Sequence, residues 1–141
     1  MIVFEEVFKE ADLFDKRGIR LIKDIIVEQK NHQQCFDMLL SEFDAINLSD
    51  DCKIWITYNF ARTYVYIVRD RVIKTALNIT QEEYDRVVSY YCLSRENDCV
   101  KLSKFLDLVV DVSTTKSKGF LETLYDIWLI GIVFELTESE E

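Results

Sequence analysis

None of the 141 residues is proline, and glycine occurs only at Gly18, Gly119 and Gly131. Primed turns and strand bends draw on glycine, and proline is the strongest breaker of helices, so such a chain is left with helix as its main regular structure. Apolar spacing agrees. Ile19, Ile22, Ile25 and Ile26, then Phe36, Leu39, Leu40 and Phe43, return every three or four residues opposite charged positions. The expected fold class is all-α. With 49% hydrophobic and 13% aromatic residues, the chain can bury one sizeable core, read as a single domain over 1–137 followed by an acidic tail, 138–141.

The pattern divides into eight helical segments. The first covers 2–14 and ends at Lys16-Arg17-Gly18, with Gly18 as a left-handed stop. The second is 19–29 and the third 33–46, before a polar break from Asn47 to Asp51. Ser49 is the N-cap expected for a fourth, short helix through Tyr58. A fifth, from Asn59 to about Leu77, is apolar on nearly every side until Arg69 and should sit at the centre. Thr80-Gln81-Glu82-Glu83 is a capping box that opens a sixth helix carrying Tyr84, Val87, Val88 and Tyr91. Leu102, Phe105, Leu106 and Val109 mark a seventh, a flexible stretch follows over 113–118, and the last helix starts near Gly119. Its apolar run, Ile127 to Phe134, is far below the roughly 18 to 20 residues of a membrane span, so it is core or a dimer face.

A formal net charge of −9 argues against nucleic acid as a partner, since that affinity rests on clustered lysine and arginine; basic or neutral partners are favoured. Cys35, Cys52, Cys92 and Cys99 form no CxxC pair and read as reduced, small apolar residues. Met1 to Glu6 lacks the basic and apolar regions of a signal peptide, which suggests a cytosolic setting. His32 and Cys35 stand three apart, but there is no third ligand, no glycine-rich phosphate loop and no Ser-His-Asp set. No enzyme activity, metal or cofactor is expected.

The tetrad Asn59-Phe60-Ala61-Arg62 reads as a helix start. Asn59 as an N-cap would accept from the first free backbone N–H groups, and Arg62 would add its fork of donors beside the positive end of the helix dipole. A carboxylate from another protein would find several donors there. Alternatively, Arg62 pairs within the chain, with Asp85 or Asp126 as partner.

An Asn-aromatic-small-Arg tetrad opening the middle of an apolar helical bundle resembles the Bcl family of apoptosis regulators, whose first homology region carries Asn-Trp-Gly-Arg at that point. Here Asn59 and Arg62 match, Phe60 replaces Trp and Ala61 replaces Gly. Gly119-Phe120, followed by Leu121-Glu122-Thr123-Leu124-Tyr125, is similar to the Gly-Trp pair of the second region, and Ile19, Ile22, Lys23 and Asp24 approximate the third. In an alternative register Lys53 stands where the family has its Arg. The short form looks like the homologues encoded by large DNA viruses.

The resemblance implies a Bcl-like bundle of seven or eight helices around a central apolar helical hairpin. It implies an inhibitor of apoptosis that holds the amphipathic death-promoting helix of proapoptotic Bcl proteins in a surface groove. By position that groove would be lined by Phe36, Leu39, Leu40 and Phe43, by Trp55 and Tyr58, and by Asn59, Arg62 and Tyr66, with Arg62 meeting the partner's acid and Arg62→Ala sparing the fold. The setting would be the host cytoplasm, at mitochondria only peripherally through partners. A homodimer is a further candidate assembly. The alternative is a Bcl-fold viral antagonist of innate immune signalling that acts through a surface or dimer face. An open surface between the third, fourth and fifth helices favours the first reading, and a closed one the second. A third class, an acidic protein that blocks a basic site, needs only the charge.

Overall fold

The computed structural model describes residues 4–28, 30–69, 80–95 and 119–138. These form five helices, α1 (Phe4–Glu28), α2 (His32–Asp44), α3 (Asp50–Arg69), α4 (Gln81–Arg95) and α5 (Phe120–Glu138), and no strand occurs among the described residues. The expected all-α class is found. Two fusions account for most of the difference from eight segments, and the seventh expected helix, around Leu102 to Val109, lies outside the described residues, as do 70–77 of the fifth and the stretch 113–118.

The first fusion runs through Gly18, which does not stop a helix; α1 continues unbroken from Phe4 to Glu28. Gly18 is instead a seat for neighbours. A Cβ added there would lie 3.1 Å from the Tyr91 hydroxyl and 3.2 Å from the Phe14 ring. Lys16 and Arg17 look like a helix end in sequence, but Arg17 reaches sideways, its Nη1 lying 3.0 Å from Glu42 Oε2 on α2.

The second fusion joins the expected fourth and fifth helices into α3. Ser49 is its cap, as the sequence suggests: the Ser49 hydroxyl accepts from the Cys52 amide at 3.2 Å, and Asp50 and Asp51 place negative charge at the positive end of the dipole. Asn59 therefore lies mid-helix and caps nothing. Its Nδ2 donates to the Trp55 carbonyl at 2.9 Å, and the Thr63 hydroxyl donates to the Asn59 carbonyl at 3.0 Å. Such back-bonding to the preceding turn lets polar side chains sit inside a buried helix.

Every residue from Ile54 to Thr63 is buried. Helix α3 packs against each of the other four, as a helix apolar on all sides must. Around it stand the fully buried Phe14, Ile22, Ile25 and Ile26 of α1, Leu39 of α2, Tyr91 of α4 and Trp128 of α5. Each large side chain so enclosed contributes roughly 1.5 to 3 kcal/mol relative to exposure.

Helix α2 begins with a reciprocal cap that the sequence reading passed over: Asn31 Oδ1 accepts from the Gln34 amide at 2.9 Å, and Gln34 Oε1 accepts from the Asn31 amide at 3.0 Å. Helix α4 starts where the capping box puts it, with the Tyr84 amide donating to the Thr80 carbonyl at 3.1 Å. The Glu83 side chain lies outside the described residues. Helix α5 likewise starts at its expected place, the Thr123 amide donating to the Gly119 carbonyl at 3.1 Å.

Helices α3 and α5 approach each other closely at Gly131. A Cβ on Gly131 would stand 2.8 Å from the Ala61 Cβ and 2.8 Å from the Tyr58 carbonyl oxygen, so only glycine lets the two backbones meet there. Lys53 meets Phe120 near the starts of the two helices and Arg62 meets Glu135 towards their ends, so they run in the same direction.

Candidate functional site

Arg62 is 4% exposed and pairs internally. Its Nε donates to Glu135 Oε2 at 3.0 Å, and its guanidinium lies 5.1 Å from the Phe134 ring centre and 5.7 Å from that of Tyr58. The Tyr90 hydroxyl donates to the other carboxylate oxygen, Oε1. Tyr90 in turn stacks on Tyr66, with ring centres 4.1 Å apart and planes 7° from parallel. One carboxylate from α5 thus joins α3 and α4, and the cation read as awaiting a partner's acid already has one. The partner is neither Asp85 nor Asp126, but the lone acid of an apolar run, and its isolation among Val133, Phe134 and Leu136 was the available signal.

The surface expected between the third, fourth and fifth segments is closed. Phe36, Leu39, Phe43, Trp55, Tyr58 and Asn59 are all buried. Helices α1 and α5 share in covering them: Phe36 packs edge-on to Tyr125 at 5.2 Å and against Trp128 at 5.7 Å, Tyr58 packs against Phe134 at 5.8 Å, and Phe43 and Trp55 meet Phe14 and Phe8 of α1 at 5.5 and 5.8 Å. Tyr66 is half-buried under Tyr90. As lining for a groove centred on Arg62, the set is corrected by this packing.

A different recess lies at the edge of the same layer. One depression of about 440 Å³ is bordered by Gln33, Phe36 and Leu40 of α2 and by Leu121, Glu122, Tyr125 and Asp126 of α5. A second, of about 300 Å³, is bordered by Leu40, Phe43, Asp44, Lys53, Phe120, Leu121 and Leu124. They share Leu40 and Leu121, so they adjoin. Here Phe36, Leu40 and Phe43 are brought together with Lys53, the cation of the alternative register, whose Nζ stands 5.9 Å from the centre of the Phe120 ring. Leu121 is 61% exposed at the junction. The α5 wall of this recess, from Phe120 to Tyr125, has no local signal in the sequence, because it depends on how α2 and α5 lie side by side. A smaller depression, about 190 Å³, lies between α1 and α4 beside Lys23 and Gln81.

The cysteines behave as apolar core. Burial pushes the Cys35 thiol up to about 12 from 9.0, the nearby Lys30 only partly offsetting it. The Cys52 thiol points at the Val7 carbonyl, 3.8 Å away. Among the described residues no group of three His, Cys, Asp or Glu side chains could hold a metal, and no helix is long and apolar enough to cross a membrane. The side chains of Cys92 and Cys99 lie outside the described residues.

The chain matches no family model, no curated protein and no solved structure.

Proposed function

We propose that the protein captures an amphipathic helix of another protein in the recess between α2 and the first half of α5, with Lys53 as the cation that meets the partner's acid. The observation that carries this reading is the adjoining pair of depressions, walled by Phe36, Leu40, Leu121 and Tyr125 and bordered at one end by Lys53. Apolar walls supply affinity and a single cation supplies register, the division of labour in helix-in-groove recognition. In its specific form, drawn from the Bcl resemblance, the occupant is the death-promoting helix of a proapoptotic Bcl protein, the setting is the host cytoplasm and the outcome is inhibition of apoptosis. Arg62 has no part in this binding, because it is spent on Glu135.

The test is titration calorimetry with a panel of death-promoting helix peptides against the wild-type protein, Lys53→Glu and Leu121→Glu. Both changed residues are at least partly exposed, so the fold should persist, as circular dichroism would verify. Each substitution should weaken binding at least about tenfold, equivalent to about 1.4 kcal/mol. Peptides that bind all three proteins equally would remove the recess from the reading.

A second reading, a signalling antagonist acting through a dimer face, is favoured by the closure around Arg62 and by a solvent-exposed apolar stripe on α5. Leu129, Val133 and Leu136 follow one another at spacings of four and three and are exposed. Under this reading the protein sediments as a dimer and Val133→Glu makes it a monomer. A wild-type monomer at all concentrations would exclude the dimer form.

A further inference from the structure

The outer face of α1 carries a charge opposite to that of the chain. Lys9, Leu13, Lys16, Arg20, Lys23 and Val27 are all exposed and follow one another at spacings of four, three, four, three and four. That mean period of 3.5 residues draws a line along the helix, about 27 Å long from Lys9 to Val27. Every basic residue of α1 except Arg17 lies on it, and Arg17 is held to the side by Glu42. None of the stripe's cations enters an ion pair among the described residues. A chain of net charge −9 thus gathers bases on one line and leaves them to solvent.

We propose that this stripe docks an acidic amphipathic helix of another protein, with carboxylates facing Lys9, Lys16 and Lys23 at seven-residue intervals and apolar side chains meeting Leu13 and Val27. The site is separate from the recess between α2 and α5 and does not depend on it. Leu13 at 65% exposure and Val27 at 49% give the partner two apolar footholds. Beside Val27 the depression of about 190 Å³ between α1 and α4, bordered by Lys23, Ile26 and Tyr84, can receive one of its side chains. The shape of the charge selects a helix. Asp12 borders the stripe on one side and Asp24 on the other, so a broad polyanion such as a duplex or a lipid surface would meet acids along with the cations. A helix laid along the line meets the cations alone. Pairing of two such stripes is disfavoured, because an antiparallel pair sets Lys16 against Arg20 and a parallel pair sets each cation against its own copy. The acidic surface elsewhere repels an acidic partner and so steers it to this face.

The probes are two synthetic helical peptides that share a pair of seam leucines, one with glutamate and one with lysine at the remaining seam positions. Calorimetry at low salt measures each against the wild-type protein, a Lys16→Glu, Arg20→Glu variant and a Leu121→Glu variant. The glutamate peptide should bind the wild type at least about tenfold more tightly than the lysine peptide, and the charge reversal should weaken it about tenfold, as expected of exposed pairs turned into repulsions. Added salt should weaken it further. Leu121→Glu, in the recess, should leave it unchanged. Circular dichroism checks the fold, and if the reversal unfolds the chain, Lys16→Gln, Arg20→Gln takes its place with a loss of about threefold. A glutamate peptide that fails to bind, binds no better than the lysine peptide, ignores the charge change or is lost only in Leu121→Glu overturns the proposal. Tighter binding of the protein to phosphatidylserine vesicles or duplex DNA, lost on the same charge change, overturns it in favour of those partners.

Discussion

Arg62 and Glu135 form an ion pair of 3.0 Å across α3 and α5, with side chains only 5% and 8% exposed. Two charges withdrawn this far from water are held in place by one another, and the Tyr90 hydroxyl satisfies the second carboxylate oxygen. Removing one partner leaves the other buried and uncompensated. Arg62→Ala or Glu135→Ala should therefore cost about 3 to 5 kcal/mol, a large part of the roughly 5 to 15 kcal/mol that a domain has in total. Urea denaturation of the single variants checks this, and an Arg62→Met, Glu135→Leu double variant should recover much of the loss. Single variants as stable as the wild type would mean the pair is solvated in solution.

The two helical glycines should respond unequally to the same added methyl group. At Gly131 the obstacle includes backbone, the Tyr58 carbonyl oxygen at 2.8 Å, so Gly131→Ala should destabilise by about 1 to 3 kcal/mol despite alanine's better helix propensity. At Gly18 the neighbours are side-chain atoms at 3.1 Å and beyond, which can give by a few tenths of an ångström. Alanine's gain of up to about 1 kcal/mol then offsets the crowding, and Gly18→Ala should unfold within a few degrees of the wild type. Thermal melts of the two variants side by side decide it.

Cys35 should resist thiol reagents at neutral pH until the protein unfolds, because its thiolate is disfavoured by burial. The linkage has a definite sign. A thiol whose value is raised from 9.0 to about 12 on folding keeps its proton longer in the native state, so its contribution is complete below about pH 9 and is lost as the pH rises towards 12. Tyr64 and Tyr84 are also raised by burial and act in the same direction. A Cys35→Ala variant should lose less stability than the wild type over that alkaline window, measured by urea midpoints at matched ionic strength. Rapid labelling of native Cys35 would contradict its burial.

The Asn31 cap offers a local test. Asn31→Ala removes the acceptor of the Gln34 amide and should cost about 1 kcal/mol, whereas Asn31→Asp should be nearly neutral. Chemical denaturation resolves that difference.

Much of the bundle can be read from apolar spacing and caps. The starts at Thr80 and Gly119 and the cap at Ser49 follow from local chemistry, since each involves neighbours within a few residues. Gly18 and Asn59 were misread for one shared reason. Each is a residue type that favours a helix end, and each is kept inside a helix here, Gly18 by a side chain from another helix and Asn59 by a bond to the preceding turn. The need of Arg62 for an anion was legible; that the anion was Glu135 was not, because 73 positions separate them and only the Gly131–Ala61 crossing brings them together. The recess at Lys53 was half legible. Its α2 wall carries the periodicity of Phe36, Leu40 and Phe43, but its α5 wall depends on how two helices are laid side by side.

The unbroken burial of Ile54 to Thr63 bears on how such a protein changes over generations. A new side chain anywhere in that decapeptide asks for an answering change on a neighbouring helix. Lys53, Glu122 and Leu121 stand on the rim and can be exchanged one at a time. Under the helix-capture reading proposed above, the rim of the recess can therefore vary in charge and shape while the buried scaffold stays put.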